Sequence, residues 1–252
     1  MLGTNKVICI SGKNQCAIDA LNFVIKKYNN YKIYSLPNKS DNGKNNWQNS
    51  FKEHSIKNKI EVTDIKKLHK IEKLYFFSLE YESIIDVSKF KSKKLFNFHF
   101  SLLPKYRGCH TNFYQIYNGE KQSGVTLHKI EKGIDTGKII DLKKFNIPIN
   151  ATAYSNYIKL MKCAFLLFRK NFDSLLNDRY KLKKQFIRKG SYFNRNSVNY
   201  SKLVNIDNFD NNLKTHNKIR SLIFPPFQLP IYKGKKIIKS KFINKKIKLY
   251  YL

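Results

Sequence analysis

Apolar and polar positions alternate through Phe96-Asn97-Phe98-His99-Phe100-Ser101. In a strand, residues two apart share a face. The three phenylalanines therefore point into a core, while the Asn97 amide and the His99 imidazole project together from the opposite side. Leu102-Leu103-Pro104-Lys105-Tyr106-Arg107-Gly108 follows. Its Pro and Gly turn the chain and leave the polar pair at a strand end, where open α/β sheets place their sites.

The remaining periodicities supply the sheet and its helices. Val7 to Ile10 is a short apolar run closed by Ser11-Gly12, and apolar residues from Ala17 to Ile25 recur at helical spacing. Strand, tight loop and helix in that order open a doubly wound fold. Further strands are expected over 32–36, 60–62, 74–77 and 95–100. Helices are expected over 47–55, 63–69 and 112–118, with a short helical element over 84–90. Trp47 and Phe51 share a face, Thr63 reads as a helix cap, and Gly119 closes the helix before it. Segments 124–130 and 138–142 read as strands flanking Gly133-Ile134-Asp135-Thr136-Gly137. So short a connection makes them antiparallel and the sheet mixed. A long helix spans 151–176. Beyond it, 191–199 is polar and aromatic, 219–227 contains Phe224-Pro225-Pro226-Phe227, and Gly234 divides two β-prone stretches in 231–242, the mark of a hairpin. The expected fold is α/β: a Rossmann-like mixed sheet flanked by helices over residues 1–185, then a small C-terminal extension, 186–252, with a β-hairpin that could serve dimerisation.

Composition changes this picture little. Hydrophobic residues make up 42% of the 252, enough for a substantial core. The net charge of +32 raises a polyanion-binding reading. However, only six of the 49 basic residues are Arg, and Lys is scattered along the chain beside abundant Asn and Ile. That pattern reads as compositional drift towards A/T-rich codons. Cys9, Cys16, Cys109 and Cys163 form no C-x-x-C and no zinc spacing, so free thiols in a reducing cytosol are expected and no metal is implied. Apolar runs are too short for a signal-peptide core or a membrane span, so a soluble cytoplasmic protein is expected.

An amide donor, a histidine and an aspartate that reaches it are the parts of an acyl transfer that uses no protein nucleophile. Asn97-Phe98-His99-x-Ser101-Leu102-Leu103-Pro104-Lys105-Tyr106-Arg107-Gly108, then Asn118-Gly119-Glu120, Gly124-Val125-Thr126-Leu127-His128 and Gly133-Ile134-Asp135-Thr136-Gly137, resembles the formyltransferases that use 10-formyltetrahydrofolate. Ser11-Gly12-Lys13-Asn14 and the tail Ile219 to Phe227 are similar to the branch that formylates sugar nucleotides. The likeness covers residues 5–145 well and the tail more loosely. Many members carry a Pro and a Trp where this chain has Thr111 and Tyr114, which leaves the acceptor sugar less defined.

The resemblance implies attack of an amine on the formyl carbon of 10-formyltetrahydrofolate. Asn97 would donate to the oxyanion, His99 would take the amine proton, and Asp135 would orient the imidazole. Ser78, Leu79 and Tyr81, with Leu102, Leu103, Gly133 and Ile134, resemble the folate-binding walls. Lys13, Asn14 and Arg107 are the candidates for holding a nucleotide-linked sugar, with Phe224 and Phe227 as stacking rings; a brace for Arg107 and a core plug for the two rings are the competing readings. His128 reads as structural and His110 has no assigned role. The implied acceptor is a dTDP-linked amino-dideoxy sugar, dTDP-4-amino-4,6-dideoxyglucose, serving surface polysaccharide such as O-antigen, and the implied assembly is a homodimer. Methionyl-tRNA formyltransferase is the nearest alternative, and a basic nucleic-acid-binding protein the alternative from another class. No membrane or nucleic-acid partner is expected.

Overall fold

The computed structural model describes residues 6–252. In chain order the elements are β1 (Val7–Gly12), α1 (Asn14–Lys27), β2 (Lys32–Pro37), α2 (Phe51–Lys57), β3 (Glu61–Val62), α3 (Ile65–His69), β4 (Leu74–Leu79), β5 (Lys94–His99), β6 (Arg107–Gly108), α4 (Thr111–Tyr117), β7 (Gln122–Lys129), β8 (Ile139–Asn146), α5 (Ala153–Leu176), β9 (Tyr192–Phe193), α6 (Tyr200–Leu203), α7 (Leu213–Leu222), β10 (Ile231–Tyr232), β11 (Lys235–Ile243) and β12 (Lys246–Tyr251).

They fall into two compact units whose segments alternate along the sequence. One takes the described chain up to His99, then Val125–Lys143 and Met161–Ile187; the other takes Phe100–Gly124, Lys144–Leu160 and Arg188–Leu252. In the first, seven strands lie in the order β3-β2-β1-β4-β5-β7-β8. β1 pairs in parallel with β2 and β4, β4 with β5, and β5 antiparallel with β7, so the sheet is mixed as expected. Every residue of β4 is buried, as a central strand covered on both faces requires. One face packs Cys9, Tyr34, Leu36, Leu68, Phe76, Phe90 and Leu95. Elsewhere in the core, Phe168 and Phe172 of α5 meet the Phe77 ring, and Phe168 also meets Phe98.

The strand order reverses beside β1, with β2 on one side and β4 on the other. At that switch Gly12 adopts φ +143°, and a Cβ there would lie 1.8 Å from the Leu79 carbonyl oxygen. Only glycine lets the β1–α1 turn approach β4 this closely.

The second unit packs α4 and α7 with Ile206, Ile223 and Ile237 around one apolar cluster. Its strands β10, β11 and β12 form an antiparallel three-stranded sheet. The hairpin expected over 231–242 is therefore only the start of a meander that continues to Tyr251. Three other local expectations shift. α2 starts at Phe51 rather than Trp47, because the Ser50 hydroxyl accepts from the Glu53 amide and fixes the start there. Asp64, not Thr63, caps α3, accepting from the Lys66 and Lys67 amides. The segment 84–90 forms just one 3-10 turn, Val87–Lys89, capped by Asp86.

Candidate active site

Strand register assembles the site. Ser11 pairs with Ser78, Ser78 with Asn97, and Asn97 with His128, giving one polar row across β1, β4, β5 and β7. His99 pairs with Thr126 in the row beyond. His99 and His128 are both buried, and burial of such groups is costly unless they are hydrogen-bonded.

Asp135 supplies the partner. Its backbone is left-handed, with φ +52°, and Gly133 before it has φ +99°. A Cβ on Gly133 would meet the Thr136 hydroxyl at 2.7 Å. The Gln185 side-chain amide clamps the loop from outside, donating to the Asp135 carbonyl at 3.0 Å and the Gly137 carbonyl at 2.6 Å. The carboxylate then lies between two imidazoles. Oδ2 is 3.4 Å from His99 Nδ1, and Oδ1 is 3.4 Å from His128 Nε2. The Asn97 amide nitrogen is 3.2 Å from Oδ1 and 3.1 Å from His128 Nε2. A carboxylate beside Nδ1 holds the His99 proton there and leaves Nε2 as the basic nitrogen. It also stabilises the imidazolium formed when Nε2 takes a proton.

The other candidates in this unit gather near the strand ends of β1 and β4. Ser78 and Leu79 are buried. Tyr81 packs edge-on against Phe76, and burial raises its hydroxyl above the ordinary range. Lys13 caps α1 and its amide donates to the Leu79 carbonyl at 3.3 Å. Asn14 is buried with φ +63° and donates to the Glu80 carboxylate at 2.8 Å. Ile134 is exposed at the tip of the Asp135 loop.

In the second unit Leu103 is buried and Leu102 half-buried. Arg107 pairs with Tyr192 through β6 and β9, and its guanidinium lies 5.9 Å from the Tyr192 ring centre. Its buried Nε has no hydrogen-bond partner among the described residues. Tyr114 stacks on Phe193 at 3.7 Å. Phe224 is buried against Tyr154 and Tyr157, whereas Phe227 is 69% exposed and stacks on Phe224 at 5.4 Å. His110 bonds the Arg195 carbonyl and the Tyr200 hydroxyl, a bracing arrangement.

Two residues at the Asp135 carboxylate and its loop had no strong signal in the sequence. His128 reaches Asn97 and Asp135 only through the β5–β7 register. Gln185 sits in an irregular stretch after α5, where neither period nor motif marks it. Among the described residues no group of His, Cys, Asp or Glu could hold a metal, and no helix is long and apolar enough to cross a membrane.

The formyl transferase family matches residues 81–164. WlaRD, a sugar 3N-formyl transferase crystallised in the presence of dTDP and 5-N-formyl-THF, is 43% identical over 96% of this chain and 88% of its own, with a TM-score of 0.90. An N-formyltransferase from Helicobacter canadensis, in complex with folinic acid and dTDP-3-aminofucose, is 41% identical over 94% of this chain and 88% of its own, with a TM-score of 0.88. Methionyl-tRNA formyltransferase of Clostridium tetani is 28% identical over 95% of this chain and 81% of its own. The bifunctional polymyxin resistance protein ArnA of Wigglesworthia glossinidia brevipalpis is 36% identical over 52% of this chain, which spans only 22% of that protein. With likeness above 40% along nearly its whole length to enzymes of one kind, this chain belongs to the sugar N-formyltransferases of the formyl transferase family.

Proposed function

We propose that this enzyme moves a formyl group from 10-formyltetrahydrofolate to the amino group of a dTDP-linked amino-dideoxy sugar, giving a formamido sugar nucleotide and tetrahydrofolate. The observation that carries the reading is the Asn97, His99 and Asp135 constellation at the carboxyl end of β5, with His99 Nδ1 3.4 Å from the carboxylate. Asn97 donates to the formyl oxygen as it gains charge, a task in which one donor is worth about 10²–10³ in rate. His99 Nε2 takes the proton that the amine sheds on attack. Asp135 keeps the ring oriented and stabilises its charged form.

Ser78, Leu79, Tyr81, Leu102, Leu103, Gly133 and Ile134 are the residues we assign to the folate. The fit is chemical: backbone groups, apolar walls and a glycine that leaves room beside Asp135. Lys13, Asn14 and Arg107 are assigned to the sugar nucleotide. The unpartnered, buried Nε of Arg107 supports that assignment, because a phosphate or carbonyl oxygen would satisfy it. Of the two rings, Phe227 is the better stacking surface, since Phe224 is already enclosed.

We place the acceptor nitrogen at the 3-position of the sugar. The two relatives above 40% identity are a sugar 3N-formyl transferase and an enzyme bound to dTDP-3-aminofucose. The 4-amino sugar expected from the sequence motifs is thus the second choice. A role in surface polysaccharide follows from that substrate class. Homodimerisation through the C-terminal sheet is supported by Ile238, Ile243 and Tyr251, which are exposed on β11 and β12.

The test is tetrahydrofolate release with dTDP-, UDP- and GDP-linked 3-amino and 4-amino sugars, with methionyl-tRNA as a control. Turnover with a dTDP-3-amino sugar is expected. Turnover with the tRNA alone would overturn the reading.

A further inference from the structure

We infer that His128 is a positioning residue for Asn97: together with Asp135 it fixes the direction in which the Asn97 NH₂ group points. The inference rests on the reading of Asn97 as the oxyanion donor.

His128 Nδ1 lies 2.7 Å from the Lys129 carbonyl oxygen. A carbonyl only accepts, so Nδ1 carries the hydrogen. Nε2 then either accepts as the bare nitrogen of an uncharged ring or donates as part of a cation. Its neighbour at 3.1 Å is the Asn97 amide nitrogen. That the nitrogen and not the oxygen of Asn97 faces this way is fixed by Asp135, whose Oδ1 lies 3.2 Å from the same atom and only accepts. Two donors would oppose each other if Nε2 were protonated, so Nε2 accepts. The 3.4 Å gap between Nε2 and Asp135 Oδ1 is wider than the gap from either atom to the amide nitrogen, which fits an amide group placed between two acceptors.

The consequence concerns catalysis. Asp135 alone gives the Asn97 amide one acceptor, and its geometry serves His99 as well. His128 supplies the second, only 3.4 Å from the first, so the two acceptors share one amide hydrogen and the other is aimed and left for the oxyanion. Without His128 only Asp135 holds the NH₂ group, which can then rotate about that one contact and misaim the hydrogen meant for the oxyanion. The β5–β7 register makes the arrangement rigid, because Asn97 and His128 are directly opposed residues of the ladder. His128 is buried, and none of this requires it to touch a substrate.

The experiment is a double-mutant cycle with a tautomer measurement. His128→Phe keeps an aromatic ring but cannot accept; His128→Gln places an amide oxygen near the position of Nε2. His128→Phe is expected to lower kcat by about tenfold, the worth of one oriented hydrogen bond, with KM for both substrates within twofold. His128→Gln is expected to recover most of that loss, which separates positioning from a folding defect. In an Asn97→Ala background, His128→Phe should cost much less than the tenfold seen alone, since the amide it directs is gone. Additive losses would overturn the inference while leaving the assigned activity intact. Nitrogen NMR of the resting enzyme reads the same claim without turnover. A protonated Nδ1 and bare Nε2 at His128 are expected, and the opposite tautomer or a doubly protonated ring overturns it even if the acceptor has been misassigned.

Discussion

Asp135→Asn is the sharpest probe of the assigned chemistry, because it removes a charge and almost no volume. Asp135 Oδ2 lies 3.4 Å from His99 Nδ1, and both side chains are largely shielded from solvent. At an effective dielectric of about 20, unit charges that far apart attract by about 5 kcal/mol. That is the most Asp135 could give a fully charged His99 imidazolium. If half of the charge has developed in the transition state, the loss is nearer 2.5 kcal/mol. Each 1.36 kcal/mol is tenfold, so kcat should fall by between about 10² and a little under 10⁴. The new amide adds to the loss if its NH₂ turns towards His99, because a donor there draws the ring proton to Nε2 and removes the base. Steady-state release of tetrahydrofolate gives kcat and both KM values, and a thermal melt checks the fold. KM is expected within about threefold of the parent enzyme. A variant that retains a third or more of kcat would refute Asp135 as the charge behind His99.

The other predictions address stability, the loop and the surface. His216 is buried between the Ser240 hydroxyl and the Ile149 carbonyl, and burial, helped by Arg220, pushes its imidazole below the ordinary value against the opposing pull of that carbonyl. The unfolded chain therefore binds this proton first, so stability is full above about pH 6.5 and falls as pH drops below it, by at most about 1.4 kcal/mol per pH unit; His216→Gln should flatten the Tm-versus-pH curve there. Phe168→Ala empties a fully buried site among Phe23, Phe77, Phe98 and Phe172, at a cost of about 3–5 kcal/mol and a fall in Tm on the order of 10 °C. Gly137→Ala would place a Cβ 1.8 Å from the Lys129 carbonyl oxygen, so activity should fall more than tenfold as the Asp135 loop shifts, while a far-ultraviolet spectrum stays unchanged. Raising salt from 50 to 200 mM should reduce kcat/KM for a sugar nucleotide by no more than about tenfold, whereas a nucleic-acid acceptor held by six or more phosphates would lose on the order of 10³.

What the sequence made legible follows from what is local. Phe96 to Ser101 alternates because one face of β5 meets a core and the other a site, and that is a two-residue period anyone can read. The Gly-Ile-Asp-Thr-Gly segment announces a turn because Gly133 and Asp135 both take positive φ. The reach from Asp135 to His99 could be inferred from the resemblance, but not its geometry. His128 stands in the motif and reads as structural there, because its contact with Asn97 is set by antiparallel register, 31 residues away in sequence. Gln185 was hidden because it acts through a side-chain amide on two backbone carbonyls, and such a clamp has no pattern. β12 is legible as well, since Lys246-Ile247-Lys248-Leu249 alternates with a strand's period directly after the turn at Asn244-Lys245. The cap of α3 moved from Thr63 to Asp64 because a carboxylate there accepts from two amides at once.

The charge and the site call for different explanations. In the proposed reaction Asn97, His99 and Asp135 would act on an amine and a formyl carbon, and neither atom records whether the amine belongs to a sugar or to an aminoacylated tRNA. Acceptor choice must therefore rest on residues outside this set, and a net charge of +32 is the tempting candidate. Yet a surface that grips a polynucleotide relies on guanidinium forks as much as on point charges, and this chain has six Arg in all. Of those six, Arg220 is buried with its Nε and Nη1 committed to Asn217 and Ala151, and Arg107 has its Nε enclosed beside Tyr192. Several lysines are spent within the fold as well, Lys170 on Asp141 and Lys94 on Asp178 among them. One enclosed, partly unsatisfied Arg beside an exposed aromatic ring suits a single small phosphorylated ligand better than a long anionic backbone. On the proposed function the excess charge would act at a distance, raising the encounter rate of an anionic substrate and fading with salt.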